Sequence, residues 1–209
     1  LDVLSDPEGP IAEGQALTAG RFGVRDSFYL VNGASVGLHA AMLAAFRPGD
    51  KVLLPRNVHR AVLAGAILAG LEPAWTLPDW LADWGLWGPL SVASLREALL
   101  REPGIRGVVL SHPTYEGVAS DVAGLGAFCR ANGLRLVVDE AHGALFPFHP
   151  AFPESACGVP GVDAVVQSMH KTAGSLTQTA LLHLPHGSAL EPGAVQQALN
   201  ALQTTSPSY

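Results

Sequence analysis

Lysine is nearly missing from this chain: Lys51 and Lys171 stand against ten arginines in 209 residues. Charge of either sign is sparse too, at 14%, well under the ~25% usual for soluble domains. What charge there is leans acidic, with 12 basic and 18 acidic residues and a net of −6. With no basic run to offset that balance, no nucleic-acid-binding surface is expected. Cysteine is limited to Cys129 and Cys157, too few for a disulfide framework and without metal spacing; both are expected as thiols in a reducing compartment. No long hydrophobic run occurs. The longest weakly polar stretch, 61–71, is 11 residues, too short to cross a bilayer. The first six residues hold no Met, no basic cluster and no apolar core, so no signal peptide is expected. A cytoplasmic location is expected, with the first residue read as a cut. Disorder is excluded by the 48% apolar content. So little charge predicts either a partner interface or apolar surface covered by further parts of the protein.

What is present is an alternation. Short runs rich in Val, Leu and Ile predict strands at 28–31, 51–54, 73–77, 107–110, 134–138 and 163–167. Helical patterns closed by Gly or Pro predict helices at 38–46, 58–69, 95–100 and 122–131. Strands apolar throughout and separated by helices predict a mostly parallel sheet covered on both faces, a three-layer αβα architecture of the α/β class. Such sheets bind ligands at the carboxyl ends of their strands. Five polar signatures fall at those ends: 32–35, 56–59, 111–115, 139–142 and 168–171. Together they predict an active-site rim. Residues 78–89 hold three of the four tryptophans (Trp80, Trp84, Trp87) without a strand or helix period. They are expected as a surface loop, with a lid or subunit contact as the alternative. The length fits one domain or a large piece of a bigger one.

Lys171 follows an apolar strand, among Ser168, Met169, His170 and Thr172. A lysine at a strand end beside hydroxyls and an imidazole is a candidate Schiff-base former. Asp139 ends the strand before it, where a carboxylate could hold a pyridinium nitrogen protonated, the electronic requirement of pyridoxal phosphate. Glu140 beside it should point to the other side of the sheet and be structural. The stretch Asn32-Gly33-Ala34-Ser35 lies between a strand and a helix, where open N–H groups suit a phosphate. Read otherwise, 33–37 spells G-x-S-x-G, a hydrolase nucleophile elbow with Ser35 as nucleophile. That reading lacks an upstream oxyanion loop and leaves the His-Lys-Thr segment without a role. Asp-Glu-Ala-His at 139–142 also spells a helicase motif, but no P-loop and no Gly-Lys dipeptide occurs. No H-E-x-x-H occurs either, so no metal site is expected.

In this order the motifs resemble the bacterial ornithine/lysine/arginine decarboxylases, pyridoxal-phosphate enzymes of the aspartate-aminotransferase fold type. The resemblance runs from about Ile11 to the last residue. It rests on Val31-Asn32-Gly33-Ala34-Ser35, Pro48-Gly49-Asp50-Lys51-Val52, Pro55-Arg56-Asn57-Val58-His59, Pro113-Thr114-Tyr115-Glu116-Gly117, Asp139-Glu140-Ala141-His142-Gly143-Ala144, Ser168-Met169-His170-Lys171-Thr172 and Thr205-Ser206-Pro207-Ser208-Tyr209. It implies that residues 1–209 are a partial major domain, with an N-terminal segment and a small C-terminal domain lying outside. Under it, Lys171 would carry pyridoxal 5'-phosphate and Asp139 would pair with the pyridine nitrogen. His59 would stack on one face of the ring and Ala141 pack on the other. Ala34, through its N–H, would hold the phosphate with Ser35, Ser168 and His170. His142 would lie beside the cofactor, and His170, Lys171 or His142 would return a proton to the substrate's α-carbon. Three positions depart from the family pattern. Ala34 stands for a hydroxyl residue, Leu145 for a second His, and Met169 for a Thr.

The activity implied is decarboxylation of arginine, lysine or ornithine in a homodimer or higher homo-oligomer, with neither nucleic acid nor membrane as partner. Transamination, aldol cleavage and a non-catalytic remnant are the competing outcomes.

Overall fold

The computed structural model describes residues 2–203; the Thr-Ser-Pro-Ser-Tyr block at the end lies outside them. The first half of the chain forms α1 (Pro10–Phe22), β1 (Asp26–Leu30), α2 (Gly33–Ala45), β2 (Lys51–Pro55), α3 (Arg60–Leu68) and β3 (Glu72–Thr76). A hairpin of β4 (Trp80–Leu81) and β5 (Leu86–Trp87) follows, then α4 (Val92–Arg101), β6 (Ile105–Ser111), α5 (Val122–Ala131) and β7 (Arg135–Asp139). The last part forms β8 (Ala164–Ser168), α6 (Met169–Thr172), β9 (Ala180–Leu184) and α7 (Pro192–Leu202).

Seven strands make one sheet in the order β1-β9-β8-β7-β6-β2-β3. From β8 to β3 every neighbouring pair is parallel. β9 runs antiparallel to both β8 and β1. The continuous apolar runs follow from burial on two sides. In β7, Val137 enters the core formed with α2, α3 and α7, while Leu136 and Val138 enter the opposite core under α4 and α5. The same alternation splits Val52 and Leu54 of β2 from Leu53. Three layers result, as the alternation of runs predicts.

Two of the helices begin where a short polar side chain takes up an open N–H group. Ser91 accepts from Ser94 N–H ahead of α4, and Asp121 from Gly124 N–H ahead of α5. Among the described residues, no helix is long and apolar enough to cross a membrane.

Two parts go beyond the sequence expectation. Residues 78–89 are not a plain loop, since β4 pairs with β5 and the Trp80 and Trp87 rings meet edge to face at 5.0 Å. Two-residue strands are too short to show a period. The sheet also has an antiparallel edge, because β9 returns from α6 across β8 and recruits β1.

Candidate active site

The parallel strands all end toward one edge of the sheet, and the loops leaving them enclose a cavity of about 610 Å³. Ala34, Ser35, His59, Asp139, Ala141, His142, Ser168, His170 and Lys171 all line it. These nine residues come from four loops far apart in sequence, and all five of the polar signatures contribute to the wall.

The wall over α2 begins with a tight strand-to-helix turn. Gly33 has φ +79°, a left-handed conformation that a side chain would strain. Asn32 precedes the helix but makes no side-chain cap. The first N–H groups of α2, at Gly33, Ala34 and Ser35, therefore face the cavity without a cap, an anion site reinforced by the helix dipole.

Asp139 closes β7 and is 6% exposed. Its Oδ1 accepts from Ala141 N–H at 3.2 Å; no protein group among the described residues donates to Oδ2. Burial holds its pKa above the ordinary carboxylate value, opposed by the Ala141 bond and by the nearby His59 and Lys171. A buried carboxylate with one free oxygen fits a cationic N–H donor from a ligand. Glu140 turns to the other side of the chain, as its place in the strand predicts. It accepts from Ser155 Oγ at 2.7 Å, Ala156 N–H at 2.7 Å and Gln167 Nε2 at 2.9 Å.

Lys171 sits on α6, directly after β8, and its Nζ lies 3.1 Å from His142 Nε2. Burial and then the Lys171 charge lower the pKa of His142, so its neutral ring accepts from the ammonium group. Tyr115 meets the His142 ring edge to face at 6.0 Å and is 84% exposed at the mouth. His170 Nδ1 lies 3.3 Å from Thr179 carbonyl and 3.2 Å from Ser168 Oγ. A carbonyl can only accept, so Nδ1 carries the proton, and the hydrogen of the Ser168 hydroxyl is left to donate elsewhere. His59 caps α3, its Nδ1 accepting from Ala61 N–H at 3.1 Å. That bond fixes the ring at the lip.

Sequence reasoning missed Arg60 and Gln178, both of which line the cavity. Arg60 opens α3 beside His59, and helix phase could have flagged it. Gln178 arrives on the segment leading into β9, a strand the sequence does not announce, and nothing local marks it. His112, although inside one of the five signatures, faces inward. It donates from Nε2 to Glu154 carbonyl at 2.8 Å and accepts at Nδ1 from Ser120 N–H at 3.0 Å. It therefore braces the loops that carry Pro113 and Tyr115.

These groups fit pyridoxal 5'-phosphate: an amine, a buried carboxylate with a free oxygen, and N–H and O–H donors gathered at a helix start. They fit the hydrolase elbow poorly. Ser35 makes no hydrogen bond to a histidine among the described residues, which a serine nucleophile requires.

Known proteins resemble the chain at the level of family, sequence and fold. The family model for the Orn/Lys/Arg decarboxylase major domain matches residues 1–209. Bacillus subtilis (strain 168) has a protein named "Uncharacterized protein YaaO" that is 40% identical over 211 residues, spanning 100% of this chain and 43% of that protein. The same organism's arginine decarboxylase is 35% identical over 209 residues, spanning 100% of this chain and 42% of the enzyme. The chain thus spans less than half the length of these relatives. Among solved structures, lysine decarboxylase A from Pseudomonas aeruginosa shares the fold. Its TM-score is 0.82 at 24% identity, covering 99% of this chain and 30% of that one.

Proposed function

The chain belongs to the Orn/Lys/Arg decarboxylase family, and from that premise we propose that the intact protein decarboxylates arginine, lysine or ornithine with pyridoxal 5'-phosphate. One observation carries the proposal: Lys171, Asp139 and the open N-terminus of α2 come from separate loops and face the same 610 Å³ cavity. Decarboxylases named for arginine and lysine among the relatives support the substrate class.

When bound, the cofactor supplies a conjugated system that takes up the electron pair left as carbon dioxide departs. The residues of this chain do the rest. Lys171 would hold the cofactor through its Nζ amine, and Asp139 Oδ2 would accept from the pyridine N–H and so keep it protonated. The N–H of Ala34 and the hydroxyls of Ser35 and Ser168, with His170, bind the phosphate; backbone at Ala34 does what a hydroxyl would otherwise do. His59 and Ala141 would pack against the ring from the cavity wall. His142 accepts a hydrogen bond from the Lys171 amine, holding it 3.1 Å away and within reach of the cavity. Lys171, His142 or His170 then returns a proton to the α-carbon, balancing the carbon–carbon bond that broke.

Asp139 is the sole carboxylate among the lining residues, and the ring nitrogen occupies it. We propose that a second subunit of a homodimer or higher oligomer, or the remainder of the protein, supplies the counter-charge for the substrate's distal cation. We propose a cytoplasmic location for that protein.

The test supplies the intact protein with cofactor and each basic amino acid in turn. One of the three should yield its amine and carbon dioxide in equal amounts. Lys171→Ala should reduce this by at least about four orders of magnitude, as removal of a covalent nucleophile does. A keto acid in place of carbon dioxide would make the protein an aminotransferase. Full turnover in the Lys171→Ala protein would remove the lysine from the mechanism.

A further inference from the structure

A second hollow, of about 680 Å³, lies at the opposite edge of the sheet, where the parallel strands begin. Arg47 follows α2, Arg106 stands near the start of β6, Arg130 on the last turn of α5, and Arg135 at the first position of β7. Four of the chain's ten arginines thus meet in one concavity, with His186 at its lip. Their acidic neighbours are already engaged. Asp50 Oδ2 accepts from Arg47 backbone N–H at 2.8 Å. Asp163, 5% exposed, accepts from Leu136 N–H at 2.9 Å and Ala189 N–H at 3.1 Å, and pairs with Arg135 at 3.3 Å.

That buried carboxylate ties Arg135, through Nη1, to the segment carrying Ala189. The side chains of Arg47, Arg106 and Arg130 have no ion pair, hydrogen bond or aromatic face among the described residues. Elsewhere Arg25, Arg56, Arg96 and Arg101 have one, while Arg21 and Arg60, which stand apart from one another, have none among the described residues. Counting the two aspartates, the hollow is net +2 in a chain of net −6. Packing like charges into a concavity works against folding, and a concave surface of one sign concentrates counter-ions.

We infer that this hollow is a binding site for a small, multiply charged oxyanion, bearing two or more phosphoryl or carboxylate groups. The planar guanidinium fork matches such groups two bonds at a time, and the volume lies within the range of small-molecule sites. β7 alone separates it from Asp139 by four residue steps, about 13 Å. A ligand here does not touch the reacting atoms, which lie at the other end of the strand. The site is therefore independent of the decarboxylation reading.

Calorimetric titration of the intact protein with inorganic tripolyphosphate, in about 50 mM salt, tests this. Binding tighter than roughly 1 mM is expected, weakening as salt rises. Arg106→Ala and Arg130→Ala should each raise the Kd by about tenfold. Arg21→Ala, the same charge change on α1 outside the hollow, should leave it unchanged. The visible band of bound pyridoxal phosphate, recorded on the same samples, reports the first site separately and should not move. Absence of binding below roughly 10 mM would overturn the inference, including where another part of the intact protein already fills the hollow. So would equal weakening by all three substitutions.

Discussion

The scarcity of lysine makes Lys171 legible in the sequence alone. With only one other lysine, at a strand entrance, the residue that ends an apolar run beside His170 has few structural reasons to be there. Asp139 is legible for the same kind of reason, a carboxylate at the end of a buried strand, and the fold brings both into one cavity. Gln178 is not legible, because nothing local distinguishes it from an ordinary surface residue, and Arg60 could be reached only through the phase of α3 next to His59. Asp139 offers the sharpest test among single residues. Its Oδ2 has no protein donor among the described residues, so Asp139→Asn should leave the fold intact and Lys171 still able to take up cofactor. A neutral amide cannot hold the ring nitrogen protonated, however. Turnover should therefore fall by about a hundredfold or more, the usual cost of removing one preorganised electrostatic partner. Stopped-flow absorbance with the full-length protein checks both parts, and unchanged turnover with an unchanged cofactor spectrum would deny Asp139 its role.

Between elements, a buried polar chain ties the edge of the sheet to the loop that carries Asp139. Ser27 of β1 lies 2.8 Å from His183 Nδ1 on β9, and His183 Nε2 lies 3.3 Å from Gln167 Oε1 on β8. The amide oxygen only accepts, so His183 donates from Nε2 and takes the Ser27 hydroxyl hydrogen at Nδ1. Gln167 Nε2 then donates to Glu140, just past β7. Complete burial pushes His183 down to about 3, and burial pushes Glu140 up to about 7. The signs oppose each other. As pH falls from 6.5 toward 3, the unfolded chain binds a proton at His183 that the folded protein refuses, so stability drops. As pH falls from about 7 to 4.5, folded Glu140 takes a proton before its unfolded counterpart, so stability rises. Between 6.5 and 4.5 the two slopes largely cancel. Glu140→Gln removes the second, and urea denaturation should then show stability falling more steeply than wild type, by up to about 1.4 kcal/mol per pH unit over that window. A slope no steeper than wild type would show that Glu140 does not titrate there.

Packing between α2 and the sheet gives a second prediction at the scale of elements. A Cβ at Gly37 would come within 2.5 Å of Leu30 Cδ1 and 2.9 Å of Val166 Cγ1. Glycine lets α2 settle close enough for its N-terminus to reach the cavity. Gly37→Ala should cost about 1–3 kcal/mol of stability by overpacking, read from the urea midpoint at constant m-value. It should also weaken cofactor retention by displacing Ala34 and Ser35. A wild-type midpoint would mean that Leu30 and Val166 yield freely.

Over the whole molecule, the layered α/β architecture can be read from apolar runs because burial on both faces erases the alternation seen in half-exposed strands. The antiparallel β1-β9 edge escapes that reading. His183, a polar residue in the middle of β9, interrupts its apolar run, and strand direction depends on a chain reversal at 173–179 that local composition does not encode. The two edges of the sheet carry different chemistry: a mixed amine, carboxylate and helix-end cavity where the strands finish, and a cluster of guanidinium groups where they start. The proposed activity stands or falls with the first. Borohydride reduction of the intact protein in the presence of pyridoxal 5'-phosphate, followed by peptide mass mapping, tests it at the bond itself. A single pyridoxyl adduct is expected on the peptide containing Lys171, lost in Lys171→Ala. An unlabelled protein, or a label confined to Lys51, would contradict it.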